Sequence, residues 1–198
     1  MITVKNAFKK MDYEEALESN IETLEWIAEH NGQFGHFIGG KFTKPRNLFK
    51  TINPFNKKEI AKISQGTVAD IKKSVQAARS GLEKWQSIGP FQRSKYLYAI
   101  ARYIQKESRT ISVLESMENG KSIRESRDID IPLAARHFYY HAGWAQLLDE
   151  EFQDYSAIGV CGQIIPWNFP ILMLAWKVAP AIAAGNSVIL KPAEQTSL

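Results

Sequence analysis

The sequence predicts an α/β protein in which short strands and helices lead into one strand–helix–strand unit of a parallel sheet. Three observations predict it. Turn residues cut the stretch from Phe34 to Ile63 into short apolar runs, and helical periodicity then dominates from Thr67 to Leu148. From Gly159 onward an apolar strand, a proline-rich turn, an apolar helix and a second apolar strand follow one another.

Residues 1–33 read as an amino-terminal extension, within which Ile21 to Glu29 is a short amphipathic segment with Leu24, Ile27 and Ala28 on one side. Gly39-Gly40, Lys44-Pro45 and Asn53-Pro54 then punctuate the short strands, and Ile60 and Ile63 bracket the last of them. Thr67 opens a long helix. Thr67-Val68-Ala69-Asp70 sets an acid three residues after a hydroxyl, a capping box with aspartate in the glutamate's place. Ile71, Val75, Ala78 and Leu82 recur behind it at helical spacing. Leu97, Ile100, Ala101 and Ile104 mark a second helix, and Ile111 to Met117 a third. Lys121 to Leu148 reads as mostly helical, with Pro132 kinking or dividing it.

The pattern changes at Gly159. Val160, Ile164 and Ile165 make a short strand and Pro166 to Pro170 a turn. Ile171 to Ala184 is a helix apolar nearly all round, which predicts burial on most sides. Gly185-Asn186 is a helix stop, and Ser187 to Leu190 a second strand. This βαβ order implies parallel pairing and a right-handed crossover, the first unit of a Rossmann-like sheet. A parallel sheet must be covered on both faces. One crossover supplies too few elements for that, so a truncated chain is expected.

Composition narrows the function classes. Of 198 residues, 44% are hydrophobic and 23% charged, which fits a globular chain rather than a disordered or fibrous one. The net charge of +4 comes from basic residues interleaved with acids, as in Lys121 to Asp130, so no nucleic-acid partner is expected. The single cysteine, Cys161, excludes an intrachain disulfide and a cysteine-based zinc cluster, and fits a reducing cytoplasm. It falls within the first strand of the βαβ unit, where a small buried hydrophobe is expected. His30, His36, His137 and His141 do not cluster, and no metal is expected. The first twenty residues, with Asp12, Glu14, Glu15 and Glu18, lack the apolar core of a signal peptide. Ala157 to Trp176 is uncharged and long enough for a membrane span. Gly159, Gly162, Pro166 and Pro170 interrupt it, however, with Gln163 and Asn168 near its middle, so a strand, turn and helix explain it better.

The turn after the first strand of the unit lacks the G-x-G-x-x-G fingerprint. In its place, Pro166-Trp167-Asn168-Phe169-Pro170 holds a side-chain amide at the carboxyl end of a parallel strand, where open α/β sheets bind ligands. A fixed amide donor stabilises a developing oxyanion, an effect worth roughly a hundredfold in rate. An asparagine there equally suits a helix cap. The second strand ends in Lys191-Pro192-Ala193-Glu194. An acid and a lysine at that point are placed to hydrogen-bond ribose hydroxyls, or are ordinary surface charges at a strand end.

The segment from Gly159 to Pro170 (GVCGQIIPWNFP), followed by Pro180-Ala181, Gly185-Asn186 and Lys191-Pro192-Ala193-Glu194-Gln195-Thr196, resembles the cofactor-domain signature of aldehyde dehydrogenases. Asn53-Pro54, Trp85, Arg93, Asn119-Gly120-Lys121 and Ala142-Gly143-Trp144 extend the likeness upstream, so that it covers Phe37 to Leu198. The resemblance implies the amino-terminal part of that fold, with residues 34–198 a partial cofactor-binding domain and the catalytic domain absent. It implies that Asn168 is the oxyanion-hole amide and that Lys191 and Glu194 hold the adenosine ribose. Ile164, Ile165, Pro166 and Trp167 resemble residues that line the cofactor cleft. A glutamate at position 194 would repel a 2′-phosphate, which implies NAD rather than NADP.

The implied parent reaction oxidises an aldehyde to a carboxylic acid. A cysteine thiolate attacks, hydride passes to NAD, and the thioester is hydrolysed. The family's nucleophilic cysteine, water-activating glutamate and glycine-rich loop would all lie downstream, so this chain alone is expected to be inactive. Ile123 to Pro132 and His137 to Trp144 resemble the class sixteen branch, which carries tandem modules and includes catalytically dead members. Residues 145–158 are shorter than the hairpin through which many family members form homo-oligomers. The competing reading is a non-catalytic or vestigial cofactor-binding or interaction module.

Overall fold

The computed structural model describes Asn6 and residues 18–198; the reading of Asp12, Glu14 and Glu15 lies outside the described residues. Helix α1 (Ile21–Glu29) precedes five short strands: β1 (Gln33–Phe34), β2 (Phe37–Ile38), β3 (Lys41–Phe42), β4 (Leu48–Ile52) and β5 (Glu59–Ser64). β5 pairs antiparallel with β4 and parallel with β1, while β2 and β3 form a separate hairpin. The face of α1 differs from the expected one. Thr23 and Ile27 are buried, whereas Leu24 is 44% exposed and Ala28 is exposed as well. Thr23 and Ile27 are one helical turn apart and share a face, with Ile27 packed among Phe34, Ala61 and Ile63. Leu24 lies about 100° away around the helix.

α2 (Val68–Ser87) begins with the capping box that its sequence announces. The Asp70 carboxylate accepts the Thr67 N–H at 3.0 Å, and the Thr67 hydroxyl accepts the Asp70 N–H at 3.4 Å. Val75, Ala78 and Leu82 are half-buried, but Ile71 sits at the exposed edge of the stripe. α3 (Gly89–Lys106) and α4 (Ser108–Asn119) follow. A short α5 (Ile123–Glu125) then runs through a π-helical turn, Ser126–Asp130, into α6 (Ile131–Glu151). Pro132 divides the helical stretch as expected, at the first turn of α6. It has no N–H to continue the ladder of the preceding turn, and the backbone there widens to π geometry.

β6 (Val160–Ile164), α7 (Pro170–Ala183) and β7 (Ser187–Lys191) are the βαβ unit, with the two strands parallel and in register from Val160 with Ser187 to Ile164 with Lys191. Gly185 (φ +81°) ends α7 in the left-handed conformation that favours glycine. Asn186, buried behind it, donates from its side chain to the Ala181 carbonyl and accepts the Gly159 N–H at 2.8 Å. The end of α7 is thereby tied to the start of β6.

The main core lies where α3, α6 and α7 meet, around Leu97, Ala101, Phe138, Ala142, Ala175 and Ala179. Alanines at the contacts let the helices approach closely. Only one face of α7 is buried, contrary to the burial on most sides that its composition predicts. Trp176 is 58% exposed, because α6 and α3 cover Ala175, Ala179 and Ala183 while only two strands flank the rest. Cys161 is likewise half-buried rather than buried, since its strand has a single neighbour. Among the described residues, no helix is long and apolar enough to cross a membrane.

Candidate functional site

Parallel pairing brings the two strand ends level. Ile164 stands beside Lys191, and the Ile165 N–H donates to the Lys191 carbonyl at 3.1 Å. The turn after β6 and the segment after β7 therefore leave the sheet side by side, and all seven sequence-selected residues gather at this edge. Ile164, Pro166, Trp167, Asn168, Lys191 and Glu194 are exposed. Ile165 is not: it is 4% exposed, turned inward by strand alternation, so its side chain faces the interior rather than an open cleft.

Asn168 does not cap α7. The cap position belongs to Phe169, which makes no side-chain cap bond, and Pro170 takes the first helical position, where a missing N–H costs nothing. Beyond β7, Lys191 Nζ donates to Glu194 Oε1 at 2.5 Å. That hydrogen bond and the lysine's charge hold the Glu194 carboxyl below its ordinary range. Both side chains stand at least half open to water, and such pairs add little to stability.

The turn rests on the carboxyl end of α4. Asn119 Nδ2 donates to the Trp167 carbonyl at 2.5 Å, and Lys121 Nζ lies 4.4 Å from the centre of the Phe169 ring. Lys121 is itself buried, paired with Asp130 and 3.8 Å from Glu115. Burial pushes the Glu115 carboxyl up, against the pull of Lys121 and of the Ser126 hydroxyl. Glu118, also buried, accepts the Ser197 N–H at 3.2 Å, the Leu198 N–H at 3.2 Å and the Thr51 hydroxyl at 3.1 Å. Burial nonetheless raises its pKa to about 7. Sequence reasoning missed Glu115, Glu118 and Asp130. A signal was available in the first two: they follow Ile111 by four and seven residues and so place acids on its apolar face.

The far end of α7 is held too. Trp85 Nε1 donates to the Ile182 carbonyl at 2.8 Å, and buried Arg93 donates from Nε to the Ala183 carbonyl at 3.3 Å. A guanidinium at a helix carboxyl end also opposes the helix dipole favourably.

Residues 42–198 match the family model described as the aldehyde dehydrogenase family. The chain belongs to that family. It is 43% identical to an acetaldehyde dehydrogenase of Pseudomonas aeruginosa, in a match covering 84% of this chain and 35% of the relative. Among solved structures, the NAD+ complex of an aldehyde dehydrogenase from Bacillus cereus superposes with a TM-score of 0.80 at 32% identity, over 91% of this chain and 39% of that one. HpcC from Thermus thermophilus gives 0.81 at 25% identity, over 91% and 39%. The chain thus spans about a third of the length of the curated relatives it matches, and what it forms is the amino-terminal part of the aldehyde dehydrogenase fold.

Proposed function

We propose that this chain is the cofactor-holding amino-terminal part of an NAD-dependent aldehyde dehydrogenase that converts an aldehyde to a carboxylic acid. The observation that carries the reading is the meeting of two exposed groups at adjoining parallel strand ends: the Asn168 turn and the Lys191–Glu194 pair. An ionised Glu194 accepts hydrogen bonds from both hydroxyls of a ribose, and Lys191 donates to them. The same carboxylate repels a 2′-phosphate, which favours NAD over NADP. When bound, NAD supplies the hydride acceptor. Ile164, Pro166 and Trp167 flank the nucleotide on the open edge, and Ile165 contributes through its backbone. Asn168 donates its amide hydrogen to the aldehyde oxygen as negative charge develops there.

Residues 34–198 then form a partial cofactor domain behind an extension of residues 1–33, with 145–158 a shortened assembly segment in a parent of the class sixteen type, working in a reducing cytoplasm. Of the reaction's groups this chain carries Asn168 alone, so it binds without turning over. Titration with NAD is expected to quench tryptophan fluorescence, through Trp167 beside the nucleotide. NADP should do so far more weakly, and Glu194→Ala should abolish the response. No NADH should form with any aldehyde. An equal response to NADP, or none to NAD, would sink the cofactor reading, and turnover would sink the claim of inactivity.

A further inference from the structure

Four consecutive residues, Glu118-Asn119-Gly120-Lys121, end α4 and open the next turn, and each makes a different long-range contact. Glu118 takes the Ser197 and Leu198 amides, beyond β7. Asn119 takes the Trp167 carbonyl, beyond β6. Gly120, at φ +83°, lies against Pro54. Lys121 stands under the Phe169 ring. The two segments they reach are those that carry Asn168 on one side and Lys191 and Glu194 on the other.

We propose that Glu118, Asn119 and Lys121 are positioning residues for the nucleotide cleft, a three-point clamp by which the end of α4 sets the spacing of the two loops. The proposal rests on the cofactor reading above. Among the described residues, backbone bonds join the two loops only as far as Ile165 and Lys191. Past that point the segment after β7 is held by the Thr51 hydroxyl, which donates to the Gln195 carbonyl at 3.4 Å, and by buried Ala193 and Thr196, while the turn after β6 runs directly into α7. Neither of these ties one loop to the other, and an error of about 1 Å in placing reacting groups can cost about a hundredfold in rate. α4 supplies the missing cross-brace. Its contacts are cheap to form, because the acceptor and donors are already ordered by the helix, and buried ones are costly to lose. Lys121 is fixed in turn by Asp130 and Glu115, so the brace is anchored in the body of the fold rather than in solvent.

The test is peptide-level amide hydrogen exchange on the full chain, with three variants. Asn119 is half-buried at the helix end, and Asn119→Ala leaves the core intact. It should speed exchange in peptides covering 166–171 at least threefold and weaken NAD-induced fluorescence quenching at least fivefold. Glu118→Ala should speed exchange at 195–198 at least tenfold without changing α3 or α6. Glu118→Gln keeps an acceptor oxygen and should restore protection to within threefold of wild type. The clamp is overturned if exchange in these two segments stays at the wild-type rate. It is equally overturned if exchange rises evenly along the chain, or if glutamine is as loose as alanine. Should Glu118→Ala not melt cooperatively, the Asn119→Ala result decides. The exchange readout needs no nucleotide, so a wild-type chain that ignores NAD sinks the cofactor reading while the exchange data still decide whether the clamp exists.

Discussion

Gly120 and Pro54 approach so closely that a Cβ on the glycine would lie 2.6 Å from Pro54 Cγ. The backbone there is left-handed as well, so a side chain meets strain and a ring at once. Gly120→Ala is therefore expected to cost about 1–3 kcal/mol, read as a fall in thermal midpoint. Pro54→Ala in the same background should recover part of the loss by clearing the ring. A variant melting with wild type would show that the turn yields freely.

Glu118 gives stability an unusual pH dependence. The folded chain keeps its proton up to about 7, whereas the unfolded chain releases it near 4.5. Between those values the folded state binds the extra proton, so stability falls as pH rises through this window, by at most about 1.4 kcal/mol per pH unit. Chemical denaturation between pH 5 and about 8 should show the decline. In Glu118→Gln the slope should shrink, and an unchanged slope would assign it to another group.

Asp70 acts in the opposite direction. The Thr67 hydroxyl, the Thr67 amide and Arg46 hold its carboxyl at about 2, against an ordinary 3.8. Its stabilisation is complete above the ordinary value and is lost as pH falls from there toward 2. Thr67→Ala removes the cap and should cost about 1 kcal/mol near neutrality. The variant's acid unfolding should also begin at a higher pH, which an acid titration followed by circular dichroism would record.

Trp85→Phe keeps most of the ring's packing but leaves the Ile182 carbonyl without its indole donor. The expected loss is about 1 kcal/mol, from one hydrogen bond at the end of α7. Urea unfolding would measure it, and Trp85→Leu should lose more through packing.

Lys191→Ala and Glu194→Ala should each leave stability within about 0.5 kcal/mol of wild type, since the pair is exposed. Their NAD response should nevertheless fall sharply. A large drop in melting temperature would mean that the pair holds the fold together and is not held in reserve for a ligand.

Local signals carried most of the architecture. The Thr67–Asp70 box, Pro132 and Gly185 mark helix ends because capping chemistry, a missing N–H and a positive φ are properties of the residue itself. The βαβ unit was readable because a proline-rich turn and the Gly185-Asn186 stop cut one long apolar stretch into two short runs and a longer one. Tertiary choices were not readable in the same way. Which face of α1 is buried depends on where β1, β5 and α4 lie: Ile27 packs on the two strands and the Thr23 hydroxyl donates to the Thr110 carbonyl of α4, so Thr23 is buried and Leu24 is not. Inward-turning Ile165 looks the same in sequence as outward-turning Ile164. For the candidate site, the positions of Asn168 and the Lys191–Glu194 pair after strands left two readings open for each, and the family resemblance singled them out. Asp130 did not stand out, although its partner Lys121 is only nine residues away, because the π-helical turn between them breaks the regular helical spacing. Glu118 did not either, because its amide partners lie 79 and 80 residues away.

That last separation has a consequence for how the chain is made. During synthesis the end of α4 emerges long before the two loops it holds, and the ribosome releases residues one at a time. Emerging first is not the same as being ordered first: a helix of twelve residues is marginal alone, so Glu118, Asn119 and Lys121 gain their loop partners only once β6, α7 and β7 have followed. A substitution near Gly120 would therefore be felt far along the chain, in segments made 48 to 80 residues later.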